Sequence, residues 1–201
     1  MEVLIFDHMN ECSEAEVQRM LPIVSQQRRE QALKYKHTFG QFCCLKSWLM
    51  LKERLAVMGY GLRNFAYNEY GKPYIEGGPY FSISHCKEGI AVAIDEEPIG
   101  IDIEAIRHAD EALIERTMNE EERLWVMGYG LRDRAFTRLW TQKEAVLKAE
   151  GVGIESFEQL QGIRNQESGF RIQSFEKEKY IYSIAYGKLH CISAEIQAAD
   201  L

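Results

Sequence analysis

The sequence holds no Cys-x-x-Cys pair, and its five cysteines, at 12, 43, 44, 86 and 191, are odd in number. That pattern offers neither a disulfide framework nor a zinc site of ordinary spacing. It predicts reduced thiols in a cytoplasmic protein. No apolar run approaches the ~20 residues of a membrane helix. The start, MEVLIFDHMNE, lacks a basic segment ahead of its apolar residues, so it reads as a first strand and not as a signal peptide. Excess positive charge is also missing. Lys and Arg total 24 against 31 Asp and Glu, a net charge of −7. General nucleic-acid binding is excluded on that balance. A polyanionic ligand must instead be met by a local basic cluster or a metal cation.

What is present describes a globular protein. Hydrophobic residues make up 46% and charged residues 27% of 201 residues. That length fits one large domain or two small lobes sharing a core. EVLIFDH (2–8) reads as a strand. ECSEAEVQRMLP (11–22) reads as a helix with a capping box at Ser13 and Glu16. Residues 25–59 have a helical pattern, a short helix and a long one, with a break near Thr38 to Gly40. FAYNEYGKPYI (65–75) reads as a hairpin turning near Asn68 to Gly71. FSISH (81–85) and GIAVAID (89–95) read as strands.

From residue 99 the order repeats. IGIDIE is a strand, DEALIERTM and NEEERLWVMG are helices, and 132–151 is a long helix ending at Gly151. FRIQSFE, KYIYSIAYG and HCISAEI close the chain as strands. The predicted class is α+β, with two similar lobes of about 100 residues related by a pseudo-twofold axis. The lobes would span 1–98 and 99–201. A literal repeat, VMGYGLR at 57–63 and 126–132, is out of register with this scheme and carries no weight in it.

In IGIDIE (99–104), strand alternation puts Ile99, Ile101 and Ile103 on one face and Gly100, Asp102 and Glu104 on the other. Neighbouring carboxylates repel and raise each other's pKa. Either the strand has a polar, half-exposed face, or the acids serve a hard cation such as magnesium, which takes oxygen ligands and keeps several waters. Gly100 then leaves room for a phosphate or water. A third acid is offered by WTQKEAVLKAEG (140–151). With Phe136, Trp140 and Leu147 forming an apolar stripe, Glu144 lies roughly 60° off its centre. Lys148 follows one turn later at the outer edge. The plain alternative is an i,i+4 ion pair.

Other candidates are weaker singly. Ser84 and His85 in FSISHC end a strand and enter a loop suited to phosphate oxygens. Lys72 and Pro73 in GKP are turn chemistry first, with Lys72 in reach of a phosphate. In NEEERLW (119–125), Asn119 caps a helix and Glu122 completes a capping box or acts as a general base. Arg28, Arg29, Lys34, Lys36 and His37 form a solvated helix face or a site for a ligand phosphate.

Order and spacing together say more. GKPYI, FSISHC, PIGIDIE, M-N-x-x-E and W-T-x-K-E-x-x-x-K resemble the 4′-phosphopantetheinyl transferases of the surfactin-synthetase-activating type, specifically over about residues 65–151. The resemblance implies transfer of the phosphopantetheine arm of coenzyme A onto a serine of an apo acyl or peptidyl carrier protein, with release of 3′,5′-ADP. It implies magnesium on Asp102, Glu104 and Glu144. It implies coenzyme A phosphate contacts from Ser84 and His85, and a nucleotide pocket lined by Lys72 and Pro73. Lys148 would act near the pyrophosphate and Glu122 as base. Arg28, Lys34 and Lys36 are the choices for the 3′-phosphate. Met118-Asn119 departs from the family's Phe-Ser or Phe-Thr. A cytoplasmic monomer with its site between lobes is expected, with no nucleic acid and no membrane. The alternatives are another magnesium-dependent phosphotransferase or phosphodiesterase acting on a nucleotide, and a nucleotide-binding module whose acids are structural.

Overall fold

The computed structural model describes residues 1–60, 65–128, 130–153, 157–163 and 168–187. The predicted strand HCISAEI and parts of both VMGYGLR copies lie outside them. Strand β1 (Glu2–Phe6) is followed by α1 (Glu14–Met20), α2 (Gln26–Leu33) and the long α3 (Thr38–Val57). A hairpin of β2 (Phe65–Tyr67) and β3 (Pro73–Ile75) precedes β4 (Tyr80–Cys86) and β5 (Gly89–Asp95). Then come β6 (Ile99–Ala105), α4 (Glu111–Thr117), α5 (Glu120–Gly128), α6 (Arg132–Glu150), α7 (Phe157–Gly162), β7 (Arg171–Glu176) and β8 (Tyr180–Tyr186). The class is mixed α and β.

Among the described residues, two antiparallel three-stranded sheets share one plan, β1-β5-β4 and β6-β8-β7. In each, the strand that opens the segment pairs with the second strand of a later hairpin. Strand β5 explains the packing. As a central strand it is covered on both faces, so its sequence is almost continuously apolar. Ile90, Val92 and Ile94 face a core shared with Phe42, Leu45, Leu51 and Leu55 of α3. Ala91 and Ala93 face the other way, into a core with Ile99, Ile101 and Ile103 of β6. Small residues on that face let the second sheet come close.

The seam between the sheets runs along β4 and β6. The Ile101 amide donates to Ser82 Oγ (3.1 Å), so a side chain stands where a ladder bond would otherwise be. The other face of β6 meets α6. Beyond it, Phe136, Trp140 and Leu147 of α6 pack with Ile114, Met118 and Leu160 from α4, its C-terminus and α7.

The predicted caps are present. Ser13 Oγ accepts from the Glu16 amide (3.3 Å), and Asn119 and Glu122 bond reciprocally at 3.0 and 2.9 Å. Helix α6 ends at Gly151 with φ of +81°, and Val152 N–H reaches back to Leu147 O, the Schellman arrangement. One break is displaced. The interruption expected at Thr38 to Gly40 falls at residues 34–37, and Gly40 is helical. A Cβ there would come 2.7 Å from the Tyr35 ring, so this glycine makes room for an aromatic and does not stop the helix. Helix α7, six residues long, is too short to show a period in the sequence.

Candidate functional site

Gly100 sets the position of everything else. A Cβ at this residue would lie 1.9 Å from the Ala145 carbonyl oxygen and 2.4 Å from the Ala149 nitrogen. The room expected for a phosphate or water is therefore filled by the backbone of α6, and that expectation is corrected. Strand and helix touch where no side chain intervenes. Glu144 and Lys148, one turn apart and flanking that contact, are brought beside Asp102 and Glu104.

On the acidic face of β6, Glu104 is half-buried and Asp102 is buried, 3% accessible. Its Oδ1 accepts from Ser84 Oγ (2.7 Å) and Lys148 Nζ (2.6 Å), and Lys148 also donates to Ser84 Oγ (2.9 Å). Its Oδ2 is buried and has no hydrogen-bond partner among the described residues. An unsatisfied buried carboxylate oxygen is uncommon in a folded protein and calls for a reason.

The charges act on one another. Burial, then the Asp102 carboxylate, pushes Glu104 up to about 7 against the pull of Arg107 and Lys148. Glu144 is raised as well, first by burial and then by Asp102. Burial pulls Lys148 down, but Asp102, Glu144 and Glu104 outweigh it and its pKa ends above the ordinary value. One ammonium thus stands against three acids.

Among the described residues no three His, Cys, Asp or Glu side chains already converge as a metal cage. Lys148 occupies Asp102 Oδ1 and leaves Oδ2 to a cation. The donor set still fits a hard divalent cation. It is all oxygen, it carries excess negative charge in a desolvated place, and Asp102 Oδ2 is unsatisfied. Magnesium needs only one or two carboxylates, keeping waters and substrate oxygens in its remaining positions.

Ser84 and His85 lie within β4 and not in a loop. Alternation turns Ser84 inward onto Asp102 and His85 outward, where its ring meets Phe39 edge-on at 6.0 Å. Partial desolvation, then the Lys148 ammonium, lowers the imidazole pKa. Lys72 donates through Nζ to the Lys148 carbonyl oxygen. Burial, with Lys148 adding to it, drops its pKa to about 8. Lys72, Pro73, Ser82, Lys148 and Gly151 line one cavity of about 220 Å³.

The three N-terminal candidates are not brought together as one cluster. Arg28 is buried, its guanidinium 3.6 Å over the Trp48 ring and an Nη in contact with Cys44 Sγ at 3.7 Å. It lines a cavity of about 370 Å³ with Trp48 and Lys52. Lys34 and Lys36 are exposed, Lys34 beside a neighbouring depression.

Two residues make contacts that the sequence pattern alone does not assign to them. Lys143 is fully buried, and its Nζ donates to Glu122 Oε2 (2.6 Å), Leu160 O (2.6 Å) and Thr117 O (3.2 Å). Glu122 is thus held by Lys143 and by the Asn119 amide through one oxygen. The signal was present. Lys143 lies three residues after Trp140 and four before Leu147, in the middle of the apolar stripe, where a charge must be paired. The second is Asn68, whose side chain bonds to Gly151 O at 2.7 Å across 83 residues of sequence. No local pattern announces such a contact.

Comparison with known proteins adds a separate line. The model of the 4′-phosphopantetheinyl transferase superfamily matches residues 98–199. The 4′-phosphopantetheinyl transferase gsp of Aneurinibacillus migulanus is 32% identical over 136 residues, covering 65% of this chain and 57% of that protein. A 4′-phosphopantetheinyl transferase of Bacillus subtilis is 32% identical over 150 residues, 71% of this chain and 66% of that protein. The 4′-phosphopantetheinyl transferase Sfp of Bacillus subtilis (strain 168) is 28% identical over 150 residues, with the same coverage. The chain therefore spans 57–66% of the length of these relatives.

Proposed function

This chain belongs to the 4′-phosphopantetheinyl transferase superfamily, and we propose that it moves the phosphopantetheine arm of coenzyme A onto a serine of an apo acyl or peptidyl carrier protein. The observation that carries the reading is the meeting of a buried Asp102 with half-buried Glu104, Glu144 and Lys148 where β6 touches α6. It lies in the segment that the superfamily model matches. The serine oxygen attacks the phosphorus that bears pantetheine, the bond to the bridging oxygen breaks, and 3′,5′-ADP leaves.

Magnesium is the cation that Asp102, Glu104 and Glu144 would hold, and when bound it supplies charge neutralisation at the pyrophosphate. Lys148 leaves its Asp102 partner for a pyrophosphate oxygen, and His85 adds a second donor at the rim. Ser84 keeps Asp102 oriented and borders the same phosphate. Glu122 takes the serine proton through Oε1, its Oε2 being held by Lys143 and the Asn119 amide. Lys72 and Pro73 border the nucleotide in the cavity they share with Lys148. Arg28, Lys34 and Lys36 are the candidates for the 3′-phosphate, with Arg28 the least free to move.

The same reading makes the chain a cytoplasmic monomer of two lobes, 1–98 and 99–201, related by a pseudo-twofold axis with the site between them. The shared strand order of the two sheets supports the two-lobe symmetry. Among the described residues no helix is long and apolar enough to cross a membrane. The test is to mix the chain with coenzyme A, magnesium and apo carrier proteins and weigh the carriers. A gain of one phosphopantetheine unit on a serine is expected. Nucleotide hydrolysis with no gain on any carrier would overturn the reading.

A further inference from the structure

We propose that Asn68 is a positioning residue that fastens the β2–β3 hairpin to the C-terminal end of α6 and so holds Lys72 over the substrate cavity. The proposal rests on the transferase reading for its functional part. Three bonds carry it. Asn68 Oδ1 accepts from the Lys72 amide (2.8 Å) and the Tyr70 amide (3.1 Å), and Nδ2 donates to Gly151 O (2.7 Å). The amide orientation is fixed by these partners, because a flipped group would set its NH2 against two N–H donors.

The two ends of the side chain do different work. Oδ1 shapes the three-residue turn Glu69–Gly71, alongside the Asn68 N–H to Lys72 O bond and Gly71 at φ of +78°. Nδ2 docks that finished turn onto α6. It does so at Gly151, where the helix has run out of amide donors and its last carbonyls need partners. Lys72 Nζ satisfies the Lys148 carbonyl from the same direction. The fit is close: a Cβ on Gly151 would meet Asn68 Nδ2 at 3.4 Å and Lys72 Cδ at 3.8 Å. Lys72 is thus placed from both sides, its backbone by Oδ1 and its side chain by the docked helix end.

Substitutions separate the two functions. Asn68→Asp keeps acceptors for the turn but sets a carboxylate against the Gly151 carbonyl at the negative end of the helix. Asn68→Ser keeps one neutral acceptor and is too short to reach Gly151. In the full chain, both variants are expected to speed hydrogen exchange of the amides in 65–75 by about tenfold, and to raise KM for coenzyme A by about tenfold with kcat within about twofold. Exchange unchanged in both variants overturns the docking role. Faster exchange with an unchanged KM overturns the positioning of Lys72. If the unaltered chain turns over no coenzyme A, the transferase reading falls, and exchange alone still decides whether Asn68 holds the hairpin.

Discussion

Replacing Gly100 by alanine tests the whole construction of the site with one methyl group. The added carbon would stand 1.9 Å from the Ala145 carbonyl oxygen, and neither that atom nor the Ala149 nitrogen at 2.4 Å can turn aside, since both are backbone. To reach an ordinary contact of about 3.4 Å, α6 must retreat by roughly 1.5 Å. Over-packing of this kind costs about 3 kcal/mol or more. The same retreat would stretch the Lys148 contacts to Asp102 and Ser84, now 2.6 and 2.9 Å, beyond hydrogen-bond range. Misplacement by about 1 Å is enough to cost about a hundredfold in rate. Urea unfolding and carrier-loading rates measure both effects. The control is Gly153→Ala, where a Cβ meets none of the described residues within 4 Å, and its stability should change by less than about 0.5 kcal/mol. A Gly100→Ala chain with the stability and activity of its parent would refute the claim that the strand–helix contact sets the site.

The remaining predictions concern the charges. Lys143→Met strands Glu122 and two buried carbonyls, and should destabilise by about 3–5 kcal/mol in urea titration. Adding Glu122→Gln should recover part of that loss, whereas simple additivity in the double-mutant cycle would mean the pair is uncoupled. Glu104 has a folded pKa of about 7 against an ordinary 4.5, so between those values the folded chain keeps a proton that the unfolded chain releases. Its contribution to stability is present below 4.5 and is lost as pH rises to 7. Glu104→Gln, measured without divalent cations, should remove that decline and exceed the parent at pH 8 by about 2 kcal/mol. Parallel pH curves for the two chains would refute this. Asp102→Ala should abolish magnesium-dependent carrier loading while keeping near-native circular dichroism; persistent loading would remove Asp102 from the site.

Periodicity made the core of the site legible. A period of two placed Asp102 and Glu104 on one face of β6, and a period of 3.6 put Glu144 and Lys148 along one margin of α6. Neither period says what the acidic face meets. The glycine beside the acids suggested open space, because a missing side chain looks the same in a sequence whether a ligand or a helix fills the gap. Gly40 reads as a helix break for another reason, its poor helix propensity, and instead accommodates the Tyr35 ring within α3. Lys143 was legible in principle, as a charge at the centre of an apolar stripe, but its three partners lie on α5, α7 and the end of α4. Asn68 was not legible beyond its turn. Its bond to Gly151 exists only once the hairpin and the helix end are folded against each other. Ser84 read as a loop donor because nothing local shows that β4 runs alongside β6.

That seam has a consequence for how the molecule can fail. Ser84 belongs to one three-stranded sheet and Asp102 to the other, and the bond between them crosses a boundary with few ladder contacts of its own. The three acids and Lys148 all lie on β6 and α6, whereas Ser84 comes from the other sheet. A drift apart of the two sheets would therefore part Ser84 from Asp102 and Lys148 while the acids stayed together on β6 and α6.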